Sequence, residues 1–406
     1  MSAQAPGPET VTATLAALRR GAVDVVEDRK LEARVRAVAE AGRPLRLKFG
    51  MDPSSADLHL GHAIPLFKLR DLQELGHQVV LIVGDATAMV GDPSGRSKLR
   101  PVLTREQVEA NLLTYTEQAG RVLDMQRTEV RRNSEWFDKL GFDGLLDLTT
   151  RMTVAQMVER DTFQTRMAAG EPVGINEFLY PLMQAWDSVQ VEADVEFGGT
   201  DQLFNLLQGR RLQEQEGQAP QVVVTTPLIN GLDGRKMSKS YGNAVGLLDS
   251  AREMTFALMR LDDSEMPTWF LQLTRLAEDD IKGLLDGHPR AAKASLAAQV
   301  TTFFHGADEA GEAAAAFDRE VRDKALPSDI PSHPWREEWG ASQPLAILLK
   351  DLALVGSSSD GRRMVAQGAV RLGGEVCTGD PMQAVPRVQG ELLIQVGKKR
   401  FARLQA

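Results

Sequence analysis

Between Leu45 and Val83 the chain alternates in a way few architectures accommodate. Leu45–Met51 (LRLKFGM) reads as a short strand, broken by Asp52-Pro53-Ser54-Ser55. A helix is expected from about Gly61 to Leu75, stopping at Gly76, and Val79–Val83 (VVLIV) is an unbroken apolar run. A strand that is apolar at every residue must be covered on both faces, the condition of an interior strand in a parallel sheet. Strand, loop, helix and buried strand in succession make a βαβ unit, so the expected fold is α/β with a Rossmann-type parallel sheet. Pro65 falls in the first turn of the helix or just beyond, where a missing amide donor costs least.

The chain has 406 residues, more than one core sustains, so two to four domains are expected. Residues 11–42 read as helical, with apolar residues at mixed three- and four-residue spacing. The stretch 103–190 is expected to be helix-rich, Gln221–Val224 to be a third buried strand, and 251–323 to be mostly helical. Four prolines (Pro327, Pro331, Pro334, Pro344) mark a linker. The expected boundaries are 1–246, 247–325, a linker 326–343, and a terminal module 344–406.

Charge divides the chain the same way. The whole carries a formal charge of −9, yet from Asp360 onward it holds eight basic residues and four acidic ones. A small basic module on an acidic body permits a nucleic-acid partner that the net charge alone would disfavour. The one cysteine, Cys377, cannot form an internal disulfide, and Met1–Arg20 has no basic stretch followed by an apolar one. A reducing cytosol is the expected location, with no membrane span. Six histidines without a metal-binding spacing argue against a protein-held metal cage.

Two motifs carry chemistry. His59-Leu60-Gly61-His62 falls where the first strand's loop meets the following helix, where free amides and the helix dipole favour an anion. Two imidazoles three residues apart share a face of the first turn, and Gly61 lets a flat group approach the backbone. Alone, the motif more often means two surface histidines beside a cap. Lys236-Met237-Ser238-Lys239-Ser240 follows the turn Gly231-Leu232-Asp233-Gly234. Two lysines in such a loop can meet charge that develops on a displaced phosphoryl group, although a solvated basic loop is the commoner meaning of such a string. A third pattern is Tyr180, Gln184 and Asp187, which form one polar stripe if 177–190 is helical.

HLGH followed by KMSKS, with strands in the right places, resembles the class I aminoacyl-tRNA synthetases. The stripe, together with Gly91-Asp92-Pro93-Ser94-Gly95-Arg96 and Gly198-Gly199-Thr200-Asp201-Gln202, is similar to the tyrosyl-tRNA synthetase family. Leu348–Glu375 resembles the S4 RNA-binding domain of its bacterial members. The resemblance implies a Rossmann-type catalytic domain with HIGH and KMSKS signatures, an α-helical anticodon-binding domain over 247–325, and a small α+β S4 domain. The substrates it implies are L-tyrosine, ATP with Mg2+, and tRNA(Tyr). It further implies a homodimer joined through about 125–180. His59, His62, Lys236 and Lys239 would act in catalysis. Asp92, Tyr180 and Gln184 would hold the ammonium, Asp187 would accept from the phenol, and Gln202 would orient the substrate. Gly50, Asp52, Gly61, Gly199 and Asp201 would line the ATP site, and Arg96 and Arg100 would lie near pyrophosphate. Arg362, Arg363, Lys398, Lys399 and Arg400 would face RNA.

The family often has a tyrosine where Lys48 stands, and Phe49 follows it; Pro65 replaces a residue that often touches ribose. Hydroxyl recognition would then rest more heavily on Asp187. Three rivals share parts of the pattern: a tryptophanyl-tRNA synthetase, a catalytically silent RNA-binding protein, and a cytidylyltransferase. Asp187 and the S4-like end favour tyrosine over tryptophan.

Overall fold

The computed structural model describes residues 8–53, 57–94, 104–235, 237, 241–322, 330–397 and 400–406. The chain divides into two compact units, Met1–Ala315 and Ala316–Ala406.

In the first unit β1 (Asp24–Val26), β2 (Arg46–Met51), β3 (Gln78–Val83), β4 (Thr128–Arg132), β5 (Val195–Gly199) and β6 (Val222–Thr226) form one sheet in the order β1-β6-β5-β2-β3-β4. All pairings are parallel except β1 with β6. The chain steps from β2 outward to β3 and β4, then returns to lay β5 and β6 on the other side of β2. The reversal opens a crevice at the C-terminal ends of β2 and β5, where open α/β sheets bind ligands. As its composition requires, β3 is buried from Val79 to Val83.

Residues 11–42 are not one helical stretch. Helix α1 (Pro8–Arg19) gives way to β1 before α2 (Asp28–Glu40) begins. Gly21 adopts φ +60, which turns the chain, and Asp24–Val26 pairs with Val223–Thr225. The helix after β2 is α3 (Leu60–Glu74), so Pro65 lies past its first turn and deprives the Gly61 carbonyl of its intrahelical donor. The middle of the unit holds α4 (Asp85–Val90), α5 (Arg105–Ala119), α6 (Ser134–Thr150), α7 (Val154–Val158), α8 (Asp161–Ala168), α9 (Ile175–Gln190) and α10 (Leu203–Gln215). The helix-rich expectation missed β4, an edge strand (TEVRR) whose charged side chains suit an unpaired edge and mask its β character.

From Ala251 the chain forms α11 (Ala251–Leu258), α12 (Met266–Leu273), α13 (Glu278–Leu285), α14 (Pro289–His305) and α15 (Ala307–Phe317). Met254, Trp269, Phe270 and Leu296 share a continuous core with Leu47, Phe49 and Leu66. His77, which follows Gly76 at the C-terminal end of α3, reads from sequence as a positive charge placed there. It is instead buried and held neutral: Thr14 Oγ1 lies 2.8 Å from its Nε2, and Leu45 N donates to its Nδ1 at 3.3 Å. Burial pushes its pKa down to about 4.

The second unit holds β7 (Ser332–Pro334), β8 (Ser342–Pro344), α16 (Leu345–Asp351), α17 (Ser358–Ala366), β9 (Val370–Leu372), β10 (Glu375–Val376), β11 (Ala384–Pro386), β12 (Glu391–Val396) and β13 (Arg400–Gln405). Five strands lie in the order β10-β9-β12-β13-β7, and β11 pairs with β8. Much of the proline-rich segment 326–343 is folded rather than a bare connection: β7 pairs with β13, and Trp335 and Trp339 pack into the unit's core. No helix among the described residues is long and apolar enough to cross a membrane.

Candidate active site

Gly50, Met51 and Asp52 close the C-terminal end of β2, at the crevice. The Asp52 carboxylate accepts from Thr87 Oγ1 at 2.7 Å and from the Tyr180 hydroxyl at 2.8 Å. Burial, then the charges of Asp52 and Asp92, hold the Tyr180 phenol well above its ordinary range, so it stays a neutral donor. This junction needs Gly84 at the end of β3, because a Cβ there would sit 2.0 Å from Asp52 Oδ1 and 2.3 Å from Thr87 Oγ1.

His59 is the N-cap of α3, and its backbone N–H donates to His62 Nδ1 at 3.2 Å. The two imidazoles stack with centroids 3.8 Å apart. This turn is tied to the segment after the KMSKS string. Leu60 N donates to Val245 O at 2.9 Å, Leu247 N to Leu58 O at 3.1 Å, and His59 forms an antiparallel bridge with Gly246. Met237 is buried in the first unit's core, and a Cβ on Gly61 would meet its sulfur at 3.5 Å. Lys236 and Lys239 lie outside the described residues, as do Arg96 and Arg100.

The stripe on α9 is real and faces inward. Asp187 is 3% exposed; its Oδ1 accepts from Trp136 Nε1 at 2.9 Å, and its Oδ2 from Asn133 Nδ2 at 3.4 Å. Burial pushes its pKa up to about 7, against the opposing pull of the Lys48 cation and these two donors. Gln184 donates to Glu196 at 3.3 Å and accepts from Asn205 at 3.1 Å. Asn205 also donates to Gln202 Oε1 at 2.9 Å, and Gln202 donates to Asp92 Oδ2 at 2.9 Å. Asp92 further accepts from Ser94 N at 2.8 Å and has Arg160 at 3.9 Å. A polar chain thus joins Gln184, Gln202 and Asp92, three residues far apart in sequence.

Gly199 ends β5, where a Cβ would lie 2.8 Å from both Asp201 Oδ1 and Leu228 Cδ2. Asp201 and Gln202 follow in a single 3-10 turn, Thr200–Gln202. In the second unit, Arg362 and Arg363 are exposed on α17. Arg363 pairs with Asp360, and Arg400 donates to the Leu354 carbonyl at 2.6 Å. Lys398 and Lys399 lie outside the described residues.

Sequence reasoning missed Thr87, Asn133, Trp136, Arg160, Glu196 and Asn205. Each is a polar or aromatic residue with no motif around it. Glu196 within an apolar strand (VEFGG) was the one available signal, since a carboxylate there must be buried. Among the described residues no cluster of three or more His, Cys, Asp or Glu could hold a metal ion.

A largely parallel sheet with its switch point at β2 and β5, beside a His-x-Gly-His helix start, is the arrangement in which open α/β proteins bind nucleotides. The family described as tRNA synthetases class I (W and Y) matches residues 40–321, and the chain belongs to it. It is 45% identical over 392 residues to the tyrosine–tRNA ligase of Salinibacter ruber, covering 96% of this chain and 95% of that one. With the tyrosine–tRNA ligase of Oleidesulfovibrio alaskensis it shares 45% identity over 397 residues, 96% and 98% of the two chains. A C-terminally truncated mitochondrial tyrosyl-tRNA synthetase of Aspergillus nidulans matches at TM-score 0.63 and 25% identity, over 76% of this chain and 94% of that one.

Proposed function

We propose that the chain is a tyrosine–tRNA ligase. It activates tyrosine with ATP to tyrosyl-adenylate, releasing pyrophosphate, and then transfers the tyrosyl group to the 3′ end of tRNA(Tyr). The observation that carries the choice of amino acid is the buried Asp187 carboxylate. It stands on a stripe with Gln184 and Tyr180, while Asp92 and Gln202 are linked to the same polar chain. Beyond its bonds from Trp136 and Asn133, a carboxylate so placed can accept one more from a phenol hydroxyl, which a phenyl ring cannot supply, and this is the proposed origin of discrimination against phenylalanine. The ammonium meets Asp92, Tyr180 and Gln184.

The tyrosine carboxylate attacks the α-phosphorus in line, and the bond to the bridging oxygen breaks as pyrophosphate leaves. The nucleophile is the substrate's own, so the protein supplies positioning and electrostatics. His59, His62 and the first turn of α3 meet the phosphates, and Lys236 and Lys239 of the KMSKS string supply positive charge to them. Gly199 and Asp201 hold the ribose, Gly50 and Asp52 stand by the α-phosphate, and Arg96 and Arg100 face pyrophosphate. Magnesium enters with ATP as part of the substrate.

Residues 247–325 serve the anticodon, and the S4-like second unit adds phosphate affinity through Arg362, Arg363, Lys398, Lys399 and Arg400. A homodimer formed through 125–180 is supported by exposed apolar side chains there: Phe142, Val154 and Ile175 are 77%, 68% and 84% exposed. The cytoplasm is the proposed location.

ATP–pyrophosphate exchange with tyrosine, phenylalanine and tryptophan tests the reading. Exchange with tyrosine is expected, with loss of tyrosine-over-phenylalanine preference in Asp187→Asn. Exchange supported by tryptophan alone would overturn it.

A further inference from the structure

Lys48 stands on the central strand β2, directly beside the proposed tyrosine pocket, and no solvent reaches it. An ammonium has three protons to donate. One goes to Glu196 Oε1, one to the Gln184 carbonyl and one to Ser188 Oγ, each at 2.7 Å. None remains for a substrate hydroxyl. Its partner is equally committed: Glu196 Oε1 also accepts from Gln184 Nε2 at 3.3 Å, and Oε2 accepts from Ser188 Oγ at 3.1 Å and from Gln221 Nε2.

Two of the three acceptors lie on one helix. Gln184 and Ser188 are one turn apart on α9 and flank Asp187, so Lys48 grips the helix on either side of the phenol-facing carboxylate. The same knot holds the Gln184 side chain through Glu196, and Gln184 leads through Asn205 and Gln202 to Asp92. Its tightness shows at Gly209 on α10, where a Cβ would lie 2.9 Å from Ser188 Oγ and 3.2 Å from Glu196 Oε2. Buried ion pairs are often replaceable by apolar groups without loss of stability, so stability alone does not account for this one.

We propose that Lys48 and Glu196 are positioning residues for tyrosine: the pair sets the rotation of α9, and so the aim of Gln184 and Asp187, without touching the substrate. This rests on the tyrosine reading of the pocket. It assigns Lys48 work different from that of a side chain binding the phenol hydroxyl.

The test is pyrophosphate exchange by the full chain, with KM measured separately for tyrosine and ATP, and with thermal melting recorded. Lys48→Met alone leaves Glu196 buried and unpaired, so its melting point falls and it serves only as a reference. Lys48→Met combined with Glu196→Gln removes both charges while keeping the side-chain volumes nearly unchanged. The expected result for this double variant is a melting point close to that of the unchanged chain and a tyrosine KM raised about tenfold or more, the loss of one hydrogen-bonded constraint. Its KM for ATP should stay within about twofold, and its tyrosine-over-phenylalanine ratio should fall. A folded double variant with unaltered tyrosine KM and ratio would overturn the proposal, as would a rise in both KM values alike. Absence of exchange with tyrosine in the unchanged chain would instead refute the reading of the pocket.

Discussion

Trp136 Nε1 donates to Asp187 Oδ1 at 2.9 Å, within a pocket where both residues are buried. The indole comes from the first turn of α6, just beyond the C-terminal end of the edge strand β4, and the carboxylate comes from α9. Both oxygens of Asp187 therefore have a donor from the protein, Trp136 on Oδ1 and Asn133 on Oδ2, and each keeps acceptor capacity to spare.

Replacing Trp136 with phenylalanine keeps most of the ring volume and removes this donor. The Asp187 carboxylate then loses a bond that favours its charged form, and its pKa moves above about 7. In kcat/KM for tyrosine, measured from pH 5.5 to 9 by pyrophosphate exchange, the acid limb should shift to higher pH. At neutral pH activity should fall by about one to two orders of magnitude, the worth of a bond to a charged group. An unshifted limb would mean that the indole only fills space.

Gly84→Ala tests the junction at the strand ends. The added methyl would lie 2.0 Å from Asp52 Oδ1, a separation no side chain tolerates, so the Thr87–Asp52–Tyr180 connection must open. A stability loss of about 1–3 kcal/mol is expected in urea titrations, from overpacking. Tyrosine activation should fall at least tenfold, because Asp52 and Tyr180 both border the crevice. Retention of activity would show that Asp52 moves aside without consequence.

His77 and Asp187 should bend the pH dependence of stability in opposite directions. The folded-state pKa of His77 is depressed to about 4 from 6.5, so the unfolded chain binds the proton first. Its contribution is present above about pH 6.5 and is lost as pH falls toward 4, on the order of 3 kcal/mol in all. The folded-state pKa of Asp187 is raised from 3.8 to about 7, so its contribution is present below about pH 4 and is lost as pH rises toward 7. Melting points between pH 4 and 7.5 should therefore rise less steeply with pH in His77→Gln than in the parent, and more steeply in Asp187→Asn. Parallel curves for all three proteins would exclude both assignments.

Arg362 is exposed on α17 and its neighbour Arg363 is held by Asp360. Arg362→Ala should weaken tRNA binding in gel-shift titrations and reduce the slope of log K against log salt by about 1, as expected when one phosphate contact is lost. An unchanged slope would remove Arg362 from the RNA-facing surface.

Local chemistry was legible directly. The VVLIV run required a doubly covered strand, and the i, i+4, i+7 spacing placed Tyr180, Gln184 and Asp187 on one face of α9, because strand and helix periods are properties of contiguous residues. The same reading failed at β1 and β4, whose pairing depends on partners remote in sequence, and at His77, whose neutrality depends on Thr14 and Leu45. Which residues surround the stripe was also beyond it. Trp136, Asn133, Glu196 and Asn205 reach the pocket from β4's end, β5 and α10, and no spacing rule relates those positions to α9. From sequence Lys48 could pass for a substrate contact. Only the pairing of β5 beside β2 and the packing of α9 against them, which bring Glu196, Gln184 and Ser188 within 2.7 Å of one ammonium, decided that all its protons are already spent. Hydrogen-bond saturation is a property of assembled neighbours, and it exists only once distant segments have met.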